Sequence, residues 1–308
     1  MNKHYLISIV GPTAIGKTSL SIQLARAFKT EILSADSRQF FREMQIGTAA
    51  PTPEELSAAP HHFIQHRSIH ENYSVGDFER EALEKIETLS EKHNILVLVG
   101  GSGLYVKSIL EGLDDFPDID PSIRASLNEQ VKQSGLKPLQ EQLQDLDPDS
   151  FNKIDIENPH RVIRALEICL GTGQPYSSFL NRNKASREFN VIKIGLQAPR
   201  EEIYDRINQR VDIMIREGLV EEARKLFPYK DLNALNTVGY KELFEHFEGK
   251  STLEEAVAAI KMNTRRFAKR QLTWFRKEED IHWFEYTTHP SQIISFIENQ
   301  INKGSAAI

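Results

Sequence analysis

The octapeptide Gly11–Thr18 (GPTAIGKT) limits what this chain can fold into more than any other feature. It fits the pattern G-x-x-x-x-G-K-[ST] and stands between an apolar run, Tyr5–Val10, and a stretch of helical spacing, Lys17–Phe28. A strand leading in and a helix leading out are what a phosphate-binding loop requires. Gly11, Pro12, Thr13, Ala14, Ile15 and Gly16 would form the tight turn, whose exposed amides join the helix N-terminus to make an anion site. Lys17 adds a point charge for the terminal phosphates, and Thr18 offers a hydroxyl to Mg²⁺. The loop alone does not separate a nucleotide from a prenyl diphosphate, since both present two phosphates and a magnesium ion.

The first hundred residues continue the alternation. Glu31–Ser34 reads as a short strand, Val75–Lys92 as an amphipathic helix, and Ile95–Val99 as a strand covered on both faces. Such alternation predicts an α/β fold, a P-loop core of parallel strands like that of the nucleotide kinases. Near Leu113 the character changes. The acidic, proline-broken segment Asp114–Asp120 precedes a purely helical stretch, with loop signals at Asp147–Ser150 and Gly171–Pro175. Strand character returns at Val191–Leu196 and again at Ile281–Tyr286, before a closing helix. The expected organisation is a core of residues 1–112 and 190–308 with an all-helical insertion at 113–189.

Composition excludes several classes. Apolar runs fall short of the roughly 20 residues of a membrane-spanning helix, and the N-terminal one enters the glycine loop with no cleavage site, so it is expected to be a strand rather than a signal peptide. A lone cysteine, Cys169, rules out an internal disulfide and any multi-cysteine metal site, and its helical, apolar flanks predict a buried inert thiol in a reducing, cytoplasmic compartment. Net charge is −6, yet Thr264–Lys277 carries Arg265, Arg266, Lys269, Arg270, Arg276 and Lys277 with no acid among them. A block of this kind is either a solvated helix face or a contact for a nucleic-acid backbone.

Two further turns stand at strand ends, where open parallel sheets bind ligands. Asp36, in SADSRQFF, is a candidate magnesium ligand, general base or turn-capping carboxylate. In GGSGLY, Gly100–Tyr105, the glycines give backbone freedom and Ser102 projects a hydroxyl toward the same edge. His61 and His62 have no ligand-like neighbours in sequence and are read as structural.

Taken in order, GPTAIGKT, SADSRQ, IGTAAP (46–51), GGSGLYVKSILEGL, HRVIRALEI (160–168), TVGYKE (237–242) and AKRQLTWFR (268–276) resemble the bacterial tRNA dimethylallyltransferases over nearly the whole chain. The resemblance implies a Mg²⁺-assisted transfer of a dimethylallyl group from dimethylallyl diphosphate to N6 of adenosine 37 in the tRNA anticodon stem-loop. It implies that Asp36 contacts the target amine, that Lys17 and Thr18 meet the diphosphate and Mg²⁺, and that Arg210 lies near the diphosphate. Ser37, Arg38, Gln39 and Ser102, the last in place of the usual threonine, would adjoin the adenosine. Arg124 and the run His160, Arg161, Val162, Ile163 and Arg164 match tRNA contacts of a swinging insertion. Tyr240, Lys241, Lys269, Arg270 and Arg276 match contacts from C-terminal helices. Gln65 and Val238 depart from the family's usual acid and isoleucine, away from the chemistry. A monomer without a membrane partner is expected. The rival reading is an ATP-dependent small-molecule kinase with Asp36 as base. Transfer to free adenine nucleotides, or RNA binding without catalysis, would each leave some of these motifs without a use.

Overall fold

The computed structural model describes residues 4–180 and 186–306. Six strands pair in parallel: β1 (His4–Val10), β2 (Ile32–Ser34), β3 (His61–His62), β4 (Ile95–Val99), β5 (Phe189–Gln197) and β6 (His282–Glu285), in the spatial order β3-β2-β4-β1-β5-β6. The helices in chain order are α1 (Lys17–Phe28), α2 (Pro53–Ala58), α3 (Val75–Ser90), α4 (Gly103–Glu111), α5 (Pro121–Ser134), α6 (Lys137–Leu146) and α7 (Pro148–Lys153). There follow α8 (Pro159–Thr172), α9 (Arg200–Arg216), α10 (Leu219–Leu226), α11 (Tyr240–Phe247), α12 (Leu253–Phe275) and α13 (Pro290–Ala306). Among the described residues, no helix is long and apolar enough to cross a membrane.

The chain forms two compact units, one of residues 1–111 with 187–308 and one of residues 112–186. In the first, the central strand β1 is buried on both sides, and apart from His4 and Ser8 its residues are apolar on both faces. Ile7 and Ile9 join Ile32, Val97 and Ile194 against α1, α9 and α13. Leu6 faces the other way with Leu33, Leu96 and Leu98, against Phe78 and Ile86 of α3 and Ile109 of α4. A further cluster gathers α9 to α12 around Leu219, Leu243 and the fully buried Tyr240. The guanidinium of Arg187, the first residue after the second unit, donates to the Ser108 and Ile109 carbonyls at 2.6 and 2.9 Å and to Glu79 at 2.7 Å.

The second unit packs α5, α6 and α8 around Leu127, Leu143, Val162 and Leu166. The segment Asp147–Ser150, expected to be a loop, is instead a helix start. Asp147 caps α7 by accepting from the Ser150 amide at 3.0 Å, and Pro148 occupies the first helical position, where its missing N–H costs nothing. The helical pattern of α8 likewise runs through Gly171 to Thr172 and stops at Gly173, whose φ of +70° suits only a residue without Cβ strain. Gly171 is needed for a different reason, since a Cβ there would meet Ile119 at 2.6 Å. Cys169 is buried in this helix, and burial pushes its thiol pKa up, as expected of an inert sulfur.

One buried charge organises the unit. Glu167 accepts from Arg124 Nε and Nη2 at 3.1 and 2.9 Å and from Arg164 Nη1 at 2.9 Å. Burial opposes ionisation of Glu167, but the two guanidinium groups outweigh it and hold its pKa below the ordinary glutamate value. A depressed carboxylate contributes stability that is complete above about pH 4.3 and lost as pH falls through the lower, folded-state value. Glu167→Gln should therefore lower stability at neutral pH by about 1–3 kcal/mol, a figure reduced by the partial exposure of both arginines. It should also flatten the acid limb. Thermal melts from pH 7 down to about pH 3 check this, and identical acid dependence in wild type and variant would contradict it.

Candidate active site

The loops after β1, β2 and β4 meet at the carboxyl edge of the sheet, where β4 and then β2 lie on one side of β1. The loop after β1 has the conformation that its glycines allow. Gly11 has φ +142° and lies against the backbone of Leu196, where a Cβ would meet the carbonyl at 2.6 Å. Gly16, at φ +107°, turns the chain into α1. Ala14 also has a positive φ, +64°, and Arg206 donates to its carbonyl at 2.8 Å. Lys17 Nζ folds back over the loop and donates to the Pro12 carbonyl at 2.9 Å.

Gln271, buried on α12, crosses the site. Its Oε1 accepts from the Thr13 amide at 2.8 Å and its Nε2 donates to the Gly101 carbonyl at 2.9 Å. The phosphate loop, the second glycine turn and the C-terminal helix are thereby tied together. Gly101 is required at that crossing, because a Cβ would lie 2.3 Å from Gln271 Nε2. Next to it, Ser102 Oγ accepts from the Ser37 amide at 3.1 Å and lies 3.0 Å from Ser37 Oγ. This hydroxyl joins two loops, a role that threonine would perform as well.

Asp36 Oδ1 accepts from the Arg38 amide at 3.2 Å, so the carboxylate does cap its own turn while also lining the ligand space. Gln39 Nε2 donates to the Ala49 carbonyl at 2.9 Å. Arg38 lies over the Phe267 ring at 3.9 Å, and burial lowers its pKa while the Asp36 carboxylate works in the opposite direction.

Three cavities converge here. The first, of about 420 Å³, is lined by Thr13–Thr18, Asp36 and Arg210 together with Ile46, Ala49, Ile213 and Met214. The second, of about 440 Å³, has Ser37, Arg38, Ser102, Phe267, Arg270 and Trp274 in its wall. A small third one, of about 50 Å³, shares Asp36 and Arg210 with the first and Arg38 and Phe267 with the second. A hard cation fits the first cavity through oxygen donors, namely the Thr18 hydroxyl together with phosphate oxygens and water, the usual surroundings of Mg²⁺. No group of three or more His, Cys, Asp or Glu able to cage a metal is gathered among the described residues.

The remaining expected residues are distributed by helix face. On α12, Ala268, Gln271 and Phe275 point into the core, whereas Lys269 and Arg270, and Arg276 at its C-cap, are exposed, as is Lys241 on α11. Tyr240, expected at the RNA, is fully buried and donates to Glu222 at 2.7 Å. On α8, His160 and Arg161 are exposed, but Val162 and Ile163 turn inward to the helical core. A run of five consecutive residues cannot share one face of an α-helix, and the side chains of Val162, Ile163 and Tyr240 are turned away from solvent. Arg124 and Arg164 are half-exposed and engaged with Glu167. Sequence reasoning missed Gln271 and Glu222. Gln271 had a signal, a polar residue on the buried stripe of a helix, whereas Glu222 in VEEA had none.

The model of the IPP transferase family matches residues 39–278, most of the chain. The chain belongs to the IPP transferase family. Among relatives of this family, it is 62% identical to a tRNA dimethylallyltransferase of Christiangramia forsetii, over 97% of this chain and 99% of that protein. It is 58% identical to one of Flavobacterium johnsoniae, over 95% of this chain and 97% of that protein. Its structure resembles the full-length tRNA isopentenylpyrophosphate transferase of Bacillus halodurans with a TM-score of 0.74 at 39% identity, covering 99% of both chains. A eukaryotic dimethylallyltransferase acting on tRNA aligns with a TM-score of 0.80 at 27% identity, over 98% of this chain and 80% of its own.

The electrostatics of the IPP transferase loop make a measurable prediction. Burial lowers the Lys17 pKa to about 8, against the raising effect of the Asp36 carboxylate and with a further lowering by Arg210. A bound anion would raise it again, so diphosphate binding should take up a proton at and above about pH 8. Calorimetry of inorganic diphosphate binding in buffers of different ionisation enthalpy reads this uptake. Lys17→Arg, whose guanidinium does not titrate there, should lose the lysine's share. Equal proton uptake by the two proteins would refute the assignment.

Proposed function

We propose that this chain transfers a dimethylallyl group from dimethylallyl diphosphate to N6 of adenosine 37, beside the anticodon of tRNA. The observation that carries the reading is the position of Asp36. It lies in the wall of a cavity lined by the phosphate loop, Arg210 and several apolar side chains, and next to a second cavity with aromatic and cationic walls. The first matches a short apolar chain on a diphosphate, and the second matches a base turned out of its stack. Names of relatives support the same reaction.

In the transfer, adenine N6 attacks the carbon bearing the diphosphate, the carbon–oxygen bond breaks, and Asp36 accepts the proton that N6 sheds. The Asp36 Oδ1 bond to the Arg38 amide aims the carboxylate and leaves its other oxygen for that proton. Lys17, Arg210 and the loop amides would hold the departing diphosphate; single contacts of this kind are worth roughly 3–4 kcal/mol in a transition state. A magnesium ion at Thr18 would supply further neutralisation of the leaving group. Exposed Lys269, Arg270 and Arg276, with His160 and Arg161 of the insertion, would meet the RNA backbone. We place the enzyme in the cytoplasm with its tRNA.

The direct test is incubation with unmodified tRNA, Mg²⁺ and labelled dimethylallyl diphosphate, without ATP. Label recovered in N6-dimethylallyladenosine is expected; no label, but nucleotide turnover once ATP is added, would favour a kinase. Asp36→Asn should lower kcat about 10²–10⁴-fold with little change in tRNA affinity, and loss of affinity alone would remove Asp36 from the chemistry. Affinity for tRNA should fall steeply between about 50 and 200 mM salt, and a flat response would exclude the basic helix as the docking face.

A further inference from the structure

The turn Gln45–Ala50 lines the donor cavity together with the phosphate loop, through Ile46, Thr48, Ala49 and Ala50. Its backbone is held by one carboxylate from another part of the chain. Glu222 Oε2 accepts from the amides of Gln45 and Ile46 at 3.0 and 2.8 Å. Its Oε1 accepts from the Gly47 amide at 2.9 Å and from the Tyr240 hydroxyl at 2.7 Å. Four donors converge on two oxygens of one charge, and hydrogen bonds to an ionised acceptor are about twice as strong as neutral ones. Burial, and then the Glu222 charge, push the Tyr240 pKa up, which keeps the phenol a donor.

Steric contact reinforces this clamp. Gly47 lies directly on the Tyr240 ring, and a Cβ there would sit 2.6 Å from the phenol oxygen. The far end of the turn is pinned to the catalytic loop, where Gln39 holds the Ala49 carbonyl at 2.9 Å and Ala49 takes a φ of +49°. The apolar wall is thus fixed between Glu222 on α10 and the strand-end loop that carries Asp36.

We infer that Glu222 is a positioning residue for the prenyl donor, setting the wall that aligns the reacting carbon and limits donor length. The inference rests on the proposed transfer reaction. A dimethylallyl group has no polar atom for the protein to grip beyond its diphosphate, so its orientation depends on the shape of the wall alone. Displacements on the order of 1 Å in such a geometry can cost about 10²-fold in rate. Glu222 does not line the donor cavity and acts only through the turn.

Glu222→Gln keeps the size of the side chain but replaces one accepting oxygen with an amide nitrogen that meets an N–H. Tyr240→Phe removes one donor and leaves the ring on Gly47. With full-length protein, Glu222→Gln should raise KM for dimethylallyl diphosphate by roughly 10-fold and leave KM for tRNA within about 2-fold. Discrimination against a ten-carbon prenyl diphosphate should fall at least about 5-fold, with a smaller shift of the same sign in Tyr240→Phe. An unchanged donor KM and unchanged discrimination in an active, folded Glu222→Gln protein would overturn the inference. So would parallel losses for both substrates with a lowered Tm, which is what a purely structural role predicts. If Glu222→Gln does not fold, Tyr240→Phe decides by the same two ratios. A wild type that transfers no label would overturn the donor reading itself and this inference with it, whereas an active wild type with an indifferent variant overturns the inference alone.

Discussion

A single glutamine side chain holds together the parts that the proposed chemistry needs. Gln271 takes an amide of the phosphate loop with its oxygen and a carbonyl of the second glycine turn with its nitrogen. Its amide has a donor and an acceptor at opposite corners, which is what joining an N–H on one loop to a C=O on another demands. Both bonds are shielded by burial, where an unsatisfied partner would cost about 1–3 kcal/mol. The same helix carries Lys269, Arg270 and Arg276 on its open face. The position of the phosphate loop and that of the basic face are therefore set by one rigid element. The Thr13 amide is engaged by Gln271, so this bond couples the loop directly to the helix.

Charge is used differently in the two units. At the sheet edge, Lys17, Arg38 and Arg210 all feel the Asp36 carboxylate, with Glu242 also acting on Arg38 and Glu55 on Arg210, and burial lowers the pKa of all three cations. An anionic ligand would offset that lowering. In the helical unit the balance is reversed, since two guanidinium groups serve one buried carboxylate, Glu167, and are satisfied by it. The first arrangement is poised for a ligand, and the second is complete in itself.

Much of this was legible in the residues. The bounds of α1 and β4 match the apolar runs that predicted them, because a strand buried on both faces and an amphipathic helix leave unmistakable periodicities. The two-residue strand β3 was not legible, since His61 and His62 carry no strand signal and pair only because β2 offers an edge. Motif residues were harder to assign to roles. A motif reports that positions matter together but not which way each side chain points, and the Tyr240 side chain points inward, to Glu222 and the Gly47 turn. Glu222 was invisible for the complementary reason: its four partners come from residues 45 to 47 and 240, and no local pattern announces a carboxylate that serves amides so distant in sequence.

The position of β1 has a consequence for how the molecule is made. This first strand lies in the middle of the sheet, with Ile7 opposite Val97 on one side and Ile192 on the other, and Tyr5 donates to the carbonyl of Ile301 near the chain's end. Its hydrogen-bonding edges therefore wait, during synthesis, for segments that emerge much later. The helical unit has its partners close at hand in sequence, and chains rich in local contacts fold sooner than those dominated by distant pairing. On the ribosome, residues 112–186 can be compact while the strand that bears the phosphate loop is still unpaired on one side. The sheet edge that carries the phosphate loop gains its second neighbour only when β5 has emerged, although its first residues are among the earliest translated.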